Sequence, residues 1–361
     1  MLDRNIKPYI YSVHGKEMCT SIQPMYCWGS TVNGELGVGA PEVEQLTLPT
    51  VMDFAESWNV RQVASGLTHC LILTEEGSVY SCGNNELGQL GHNNITRKPE
   101  LVDNLENYSI VQVAAGDQHS IALTSWGLIY AWGENGFGQL GLNSTEPHTS
   151  VPKLVKSLAR KQVIQVACGS SHTLALTSGG ELYAWGSNLS GQLGLGHREG
   201  PQKDPILIKA LLGVPLVHIT AGGQHSAALT QAGFLLTWGS NKYGQLGFSS
   251  NKDDLYCNVP TPVPNLATYS EPLRYVSVGE GHTAVLDAHG KNIPQGGPLG
   301  LRKCGPTLWT TILSPTPAYY TILSDVQFGY SSLADVKCIC NFNWFNMGLH
   351  LMKTVNAFNS T

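Results

Sequence analysis

Five histidines recur through the sequence in a fixed phase, and imidazole is the side chain that most often ligates metals or transfers protons near neutral pH. They are His69, His119, His172, His225 and His282. Because each one occupies the same place in its own repeat, we expect them to be distributed around the fold and not to converge on one ion. An imidazole at the start of a strand can hydrogen-bond neighbouring backbone. The sequence therefore predicts structural histidines, with no metal, no cofactor and no catalytic residue.

The elements that must position these histidines are repeats of about 50 residues. The tetrapeptide Gly-Gln-Leu-Gly begins at Gly88, Gly138, Gly191 and Gly244, always 19 residues after a phased histidine, and a variant begins at Gly34. A second marker, an aromatic residue or Cys followed by Gly, lies about five residues upstream of each tetrapeptide. The tryptophans at this marker are expected to pack between repeats, because each buries a large aromatic surface: Trp28, Trp132, Trp185 and Trp238.

Each repeat is predicted to form β-strands. In the unit around His172, residues 163–167, 172–177 and 181–185 are short apolar runs, rich in β-branched and aromatic residues and separated by glycines. That pattern is typical of strands and not of helices. A proline-bearing segment such as 151–155 supplies a fourth, outer strand, where proline is tolerated. Four strands per repeat of this length predict an all-β fold, a β-propeller of four-stranded blades.

Composition supports this prediction and excludes other classes. Glycine contributes 40 of the 361 residues, 42% are hydrophobic, and 13% are charged, with a formal net charge of −5. Coiled coils and disordered chains carry far more charge, and charge is close to 25% in average proteins. Such a balance gives no general attraction to nucleic acid or to an anionic membrane, and no apolar run of bilayer-spanning length occurs. Nine dispersed cysteines without a CxxC pair favour a reducing compartment, the cytosol, with the nucleus as the alternative.

The repeat pattern, which runs Val-Ala-x-Gly-x-x-His-(Ser/Thr) and later Tyr-x-Trp-Gly-x-Asn-x-x-Gly-Gln-Leu-Gly, resembles that of the regulator of chromosome condensation family. This resemblance implies a seven-bladed propeller. Within the family the chain is most similar to the propeller at the N-terminus of the small HERC-type ubiquitin ligases. The stretches that carry the closer resemblance are Tyr26-Cys27-Trp28-Gly29, Val166-Ala167-Cys168-Gly169 and residues 207–215. The resemblance covers roughly residues 26–286.

The pattern breaks after His282. Between Gly290 and Gly297 the unit is four residues shorter than the others, and the loss falls on the Tyr-x-Trp-Gly strand. We therefore expect about five intact blades and a broken one. The predicted organisation is an N-terminal extension over residues 1–25, propeller repeats over 26–300, and a non-repeat tail over 301–361. A truncated isoform or fragment with a foreign tail would explain this organisation.

The resemblance implies a protein-interaction platform. In HERC-type ligases ubiquitin transfer belongs to a C-terminal HECT domain, so this chain is not expected to be an enzyme by itself, and its expected partners are proteins such as ubiquitin-pathway substrates. The alternative is guanine-nucleotide exchange on a Ran-like small GTPase, as in the founding member of the family. Chromatin docking in that relative uses a basic N-terminal tail. Residues 1–25 carry three basic and two acidic side chains here, so nucleic acid is not an expected partner.

Residues that every repeat shares serve folding, so function should lie in residues that belong to one repeat. Charged residues in the segments after each Gly-Gln-Leu-Gly element meet this condition, although such charges also occur on ordinary solvated loops. The candidate partner-binding residues are Arg97, Lys98, Lys153, Lys156, Arg198 and Lys203.

Overall fold

Antiparallel β-sheets make up the fold in a computed structural model, which describes residues 9–11, 26–39, 43–52, 59–94, 96–248, 255–267, 272–287 and 311–312. The break expected between Gly290 and Gly297 lies outside the described residues. The strands within these ranges are β1 Tyr9–Tyr11, β2 Tyr26–Ser30, β3 Gln45–Val51, β4 Val60–Ser65, β5 His69–Thr74, β6 Val79–Gly83, β7 Thr96–Leu101, β8 Ile110–Ala115, β9 His119–Thr124, β10 Ile129–Glu134, β11 His148–Leu154, β12 Val163–Cys168, β13 His172–Thr177, β14 Leu182–Gly186, β15 Gln202–Leu207, β16 Leu216–Ala221, β17 His225–Thr230, β18 Leu235–Ser240, β19 Tyr256–Pro262, β20 Leu273–Val278, β21 Thr283–Asp287 and β22 Thr311–Ile312.

Helical structure in the described residues is short. One-turn 3₁₀ helices at Lys156–Leu158 and Lys209–Leu211 follow two of the outer strands, and the helix α1 spans Pro264–Ala267. No helix among the described residues is long and apolar enough to cross a membrane.

The strands form six sheets in sequence order. Four of them are four-stranded meanders, β4–β7, β8–β11, β12–β15 and β16–β19, and these are the blades that the repeat predicts. A three-stranded sheet, β1-β2-β3, precedes them and another, β20-β21-β22, follows. The prediction of an all-β fold with repeated four-stranded antiparallel sheets is confirmed.

The first and last sheets use strands from segments that the sequence places outside the repeats. In the first sheet β1 pairs with β2, with Tyr9 opposite Trp28, so β1 takes the place that the second strand has in a complete blade. In the last sheet Ala284 pairs with Ile312, so β22 takes the place of the third strand.

The hydrophobic core lies between the blades. The described residues form five clusters of buried side chains, and each contains residues from two consecutive sheets. Trp132, Trp185 and Trp238 are completely buried in these clusters, whereas Trp28 is partly exposed in the first sheet. Burying the apolar surface of one blade therefore requires its neighbour, which is the physical basis of repeat folds.

The innermost strands β4, β8, β12, β16 and β20 contact one another in succession, and glutamine side chains join them. The amide of Gln165 donates to the carbonyl of Ile219 at 3.1 Å and accepts from its N–H at 3.0 Å. Gln112 makes the same pair of bonds to Val166, and Gln62 makes them to Val113. At the last boundary the glutamine is replaced by His218, whose ring contacts Tyr275 with centroids 4.7 Å apart.

Candidate functional site

Two sets of loops gather at one end of the propeller, because the first and third connections of an antiparallel meander emerge on the same side. The axial loops join the first strand of each blade to the second, at residues 66–68, 116–118, 169–171, 222–224 and 279–282. The Gly-Gln-Leu-Gly loops join the third strand to the fourth. We call this side the axial loop end.

Backbone hydrogen bonds link the axial loops into a continuous belt. Asp117 donates its N–H to the carbonyl of Ser170 at 3.1 Å, and Ser170 donates its own to that of Gly222 at 3.2 Å. Such close approach demands glycine. A Cβ at Gly169 would overlap both the His172 ring and the carbonyl oxygen of Gly222.

A shallow, open depression lies inside this belt. Its lining comes from four consecutive blades and consists mainly of glycine, alanine and backbone, with Ser170 and Glu280 as the hydrogen-bonding side chains. The carboxylate of Glu280 accepts a hydrogen bond from the Ser170 hydroxyl at 3.4 Å. Gly223 leaves room for the Glu280 side chain to contact Ser170, because a Cβ at residue 223 would lie 2.6 Å from the Glu280 carboxyl carbon.

Further carboxylates give the axial loop end an acidic character. Burial raises the pKa of Glu134, the nearby charge of Asp117 raises it further, and a hydrogen bond from Gln139 opposes both effects. The same two carboxylates therefore repel each other. A cationic group from a partner would relieve this repulsion.

Apolar side chains stand beside these carboxylates. Phe137, Leu189 and Tyr243 occupy equivalent loops of three consecutive blades and are 36%, 61% and 49% exposed. Aromatic side chains such as Phe137 and Tyr243 are enriched at protein–protein interfaces, where charged side chains occupy mainly the rim.

The phased histidines lie beneath this surface and bind neighbouring blades. Nε2 of His172 lies 2.9 Å from the hydroxyl of Ser226, which itself donates to the carbonyl of Gln192 at 2.8 Å. Since a carbonyl can only accept, the single hydroxyl proton is used there, and His172 must donate through Nε2. The same relay connects His69, Ser120 and Gln89; His119, Thr173 and Gln139; and His225, Thr283 and Gln245.

The phased tryptophans complete this arrangement. The carbonyl of Gln192 also accepts from the indole of Trp238, at 2.8 Å, and that of Gln139 accepts from Trp185 at the same distance. Gln89 and Trp132 make the third copy. At the first boundary Cys82 stands where tryptophan is found elsewhere, and its thiol lies 3.6 Å from the carbonyl of Glu35.

These histidines are poorly suited to catalysis. Burial lowers the pKa of His119 and His225 to about 4 and that of His172 and His282 to about 3. A neutral, buried ring is a poor proton-transfer group near pH 7. In His69, His119, His172 and His225 the Nε2 proton is also already donated to a hydroxyl of the next blade. Within the described ranges, no group of three or more His, Cys, Asp or Glu side chains is placed to hold a metal ion.

The basic residues that the sequence singles out lie in the outer strands or in the segments next to them. The guanidinium of Arg97 donates to the carbonyls of Thr31 and Val32, at 3.1 and 2.8 Å, so it joins the second blade to the first sheet. Neighbouring Lys98 lies against Gly39.

The other four basic residues are divided between two blades. Lys203 packs over Gly138 in the preceding blade, and the guanidinium of Arg198 lies 4.6 Å from the ring centre of Tyr256. Lys153 pairs with Glu146 at 2.7 Å. Lys153 and Lys156 lie near the end opposite the axial loops, since Leu154 pairs with Tyr130 at the start of β10. The six therefore do not form one patch.

Sequence reasoning missed the carboxylates and apolar residues of the axial loop end. Asp117 and Glu280 occupy the same repeat position as Leu67, Ser170 and Gly223. Variation at that position, inside an otherwise constant stretch before the histidine, is the signal that could have identified them.

The fold and this site define a class of protein. The family model described as RCC1-like domain matches residues 24–333. The chain therefore belongs to the RCC1-like domain family. Human HERC4, named a probable E3 ubiquitin-protein ligase, is 47% identical over 268 residues, which are 74% of this chain and 25% of that protein. Human HERC3, named likewise, is 50% identical over 266 residues, with the same coverage. The chain spans about a quarter of the length of these relatives.

Solved structures agree with this assignment. Human WBSCR16 superposes with a TM-score of 0.67 at 26% identity, covering 80% of this chain and 76% of that one. Prp20p from Saccharomyces cerevisiae, reported with its binding properties to Gsp1p and histones, gives 0.65 at 25% identity, covering 84% and 77%. The predicted propeller and its HERC resemblance are confirmed, and yeast Prp20 has also been solved bound to Kap60, with 27% identity and a TM-score of 0.63 over 78% of this chain and 70% of that one.

Proposed function

We propose that this chain is a protein-interaction propeller that recruits a partner or substrate in the manner of the RCC1-like region of a HERC-type ubiquitin ligase, and that the axial loop end is its binding face. The observation that carries the proposal is that the loops of this one end carry Asp117, Glu134 and Glu280 together with exposed Phe137 and Leu189, and that Glu280 lines the depression there. This mixture fits a partner with a basic surface and an apolar anchor. The free cysteines of the described residues support a reducing compartment, the cytosol.

The test is quantitative affinity purification from cells with three forms of the full chain. The wild type is compared with Asp117→Asn/Glu280→Gln/Leu189→Asp at the axial loop end and with Asp103→Asn/Glu106→Gln/Leu48→Asp, a matched set of exposed residues elsewhere. Partners that the first variant loses and the second keeps support the proposal. Equal retention by both folded variants contradicts it.

A second function, nucleotide exchange on a Ran-like small GTPase, is favoured by the similarity to Prp20p. Release of a fluorescent guanine nucleotide from a panel of purified small GTPases tests it. Acceleration by the wild type that the axial-loop variant abolishes would establish exchange. Partner binding without acceleration would leave recruitment as the function.

A further inference from the structure

The innermost strand of each blade carries a β-bulge at its second residue, at the end of the propeller opposite the axial loops. In β12 the pairing steps from Val163–Thr177 to Gln165–Leu176, so Ile164 is the extra residue. The same shift occurs in β4, β8, β16 and β20. Bulges leave the extra residue unpaired and redirect its side chain. The five extra residues, which we call the bulge crescent, are Arg61, Val111, Ile164, Val217 and Arg274.

The crescent is apolar in its middle and cationic at both ends. Ile164 and Val217 are 55% and 53% exposed, and Val111 is partly buried. Arg61 and Arg274 are exposed. Neither arginine forms a salt bridge within the part of the chain that the structure describes.

Trp126 extends the apolar part of this surface. It is 70% exposed in the turn between β9 and β10. The turn is held on both sides, because Ser125 donates its N–H to the carbonyl of Ser109 and Gly127 accepts from the N–H of Val163. The turn that carries Trp126 therefore lies beside Val163, the residue before Ile164 at the start of β12. The equivalent residues in the other complete blades are Glu76, Gly179 and Ala232, so this tryptophan belongs to one blade.

The turn between β5 and β6 carries two acidic residues, Glu75 and Glu76, and Glu75 donates its N–H to the carbonyl of Asn59 just before β4. Hydrogen bonding from its own backbone N–H and from the Thr74 side chain lowers the pKa of Glu76.

We propose that the bulge crescent and Trp126 bind an apolar segment of a partner protein that is flanked by carboxylates. Exposed tryptophan and arginine are the residues that most often dominate binding energy at interfaces. The apolar middle would take two or three aliphatic or aromatic side chains, and Arg61 and Arg274 would pair with acidic residues on either side. This site is separate from the axial loop end.

The experiment measures fluorescence anisotropy of peptides mixed with the full chain. The probes are two matched sets with the same Leu, Ile or Phe triplets, one flanked by Asp and Glu and one by Lys and Arg. We expect acid-flanked peptides to bind at least tenfold more tightly than their basic counterparts. Ile164→Asp/Val217→Asp should remove binding, and Arg61→Glu/Arg274→Glu should reverse the charge preference. Leu48→Asp, at a residue 74% exposed on β3, is the matched control and should bind normally.

Three results would overturn the proposal: equal binding of both peptide sets, retained binding by the folded crescent variants, or loss of binding in Leu189→Asp at the axial loop end. If Ile164→Asp/Val217→Asp fails to fold, peptide binding by Trp126→Ser is the test. This exposed turn residue can be replaced without removing a side chain from the hydrophobic core. Sedimentation velocity without peptide shows whether the crescent instead binds a second copy of the chain. A dimer that Ile164→Asp dissociates would contradict the peptide assignment.

Discussion

The imidazole of His172 donates to the hydroxyl of Ser226 at 2.9 Å across the boundary between two blades. Because that hydroxyl passes its own proton to the carbonyl of Gln192, three polar groups from two blades satisfy one another in the dry interior. Removing any one of them leaves a buried group without a partner, which costs more than the bond itself contributes.

Ser226→Ala should lower the free energy of unfolding by about 1–3 kcal/mol, because Nε2–H of His172 loses its acceptor. Urea denaturation measures the change. Ser178→Ala, at an exposed serine in a turn, is the control and should stay within about 0.5 kcal/mol of wild type. Equal losses in the two variants would show that the relay does not stabilise the blade boundary.

Trp185→Phe should cost about 1–3 kcal/mol, because it removes the 2.8 Å bond to the Gln139 carbonyl and leaves a small cavity. Trp126→Phe, at a residue 70% exposed, is the matched control with little expected effect. Thermal or urea unfolding of both variants checks this. Similar stability of the two would mean that the indole N–H is not needed between blades.

Stability should fall as the pH falls below about 6.5. Burial lowers the pKa of His218 to about 4, so between pH 6.5 and 4 the unfolded chain binds a proton that the folded chain does not. Stability therefore rises with pH in that window, by at most about 1.4 kcal/mol per pH unit for each such histidine. Urea midpoints from pH 7.5 to 5 should be less acid-sensitive in His218→Gln, which restores the residue of the other boundaries. If the urea midpoint of His218→Gln depends on pH as steeply as that of the wild type, a group other than His218 takes up the proton on unfolding.

Gly223→Ala should displace Glu280 from Ser170, because a Cβ at residue 223 would lie 2.6 Å from both the carboxyl carbon and the backbone oxygen of Glu280. Amide hydrogen exchange in residues 279–282 should become faster. Gly179→Ala is a suitable control, since the nearest atom to its Cβ is 3.8 Å away. Unaltered exchange in Gly223→Ala would mean that the axial loop tolerates the added methyl group.

Periodicity predicted the strands well because strand positions follow from local pattern. The strand predicted at 172–177 is β13, His172–Thr177, and the proline-bearing segment at 151–155 overlaps the outer strand β11, His148–Leu154. Pro152 has no backbone N–H to donate, but an outer strand has only one neighbour. The strand β11 still pairs with β10 on both sides of Pro152, at Lys153 and at Thr149.

Contacts between blades could not be predicted in the same way. The phase shows that His172 and Ser226 occupy fixed repeat positions, but it does not show that one blade's imidazole meets the next blade's hydroxyl. The bond between Ser170 and Glu280 spans 110 residues and depends on the small size of Gly223. A contact of this kind can be identified only from the three-dimensional arrangement of the blades. Arg97 is a similar case, since its carbonyl partners lie 65 and 66 residues away.

The boundary between the fifth and sixth sheets differs from those before it, with consequences for how the propeller opens. As at the first boundary, where Cys82 replaces tryptophan, the sequence after His282 has no Tyr-x-Trp-Gly motif to supply an indole to the Gln245 carbonyl, and here His218 also stands in place of the bridging glutamine. In a repeat fold the resistance to opening is set by each nearest-neighbour interface. Unfolding should therefore begin as fraying at this boundary and proceed toward the N-terminal blades, which gives the chain a direction of disassembly.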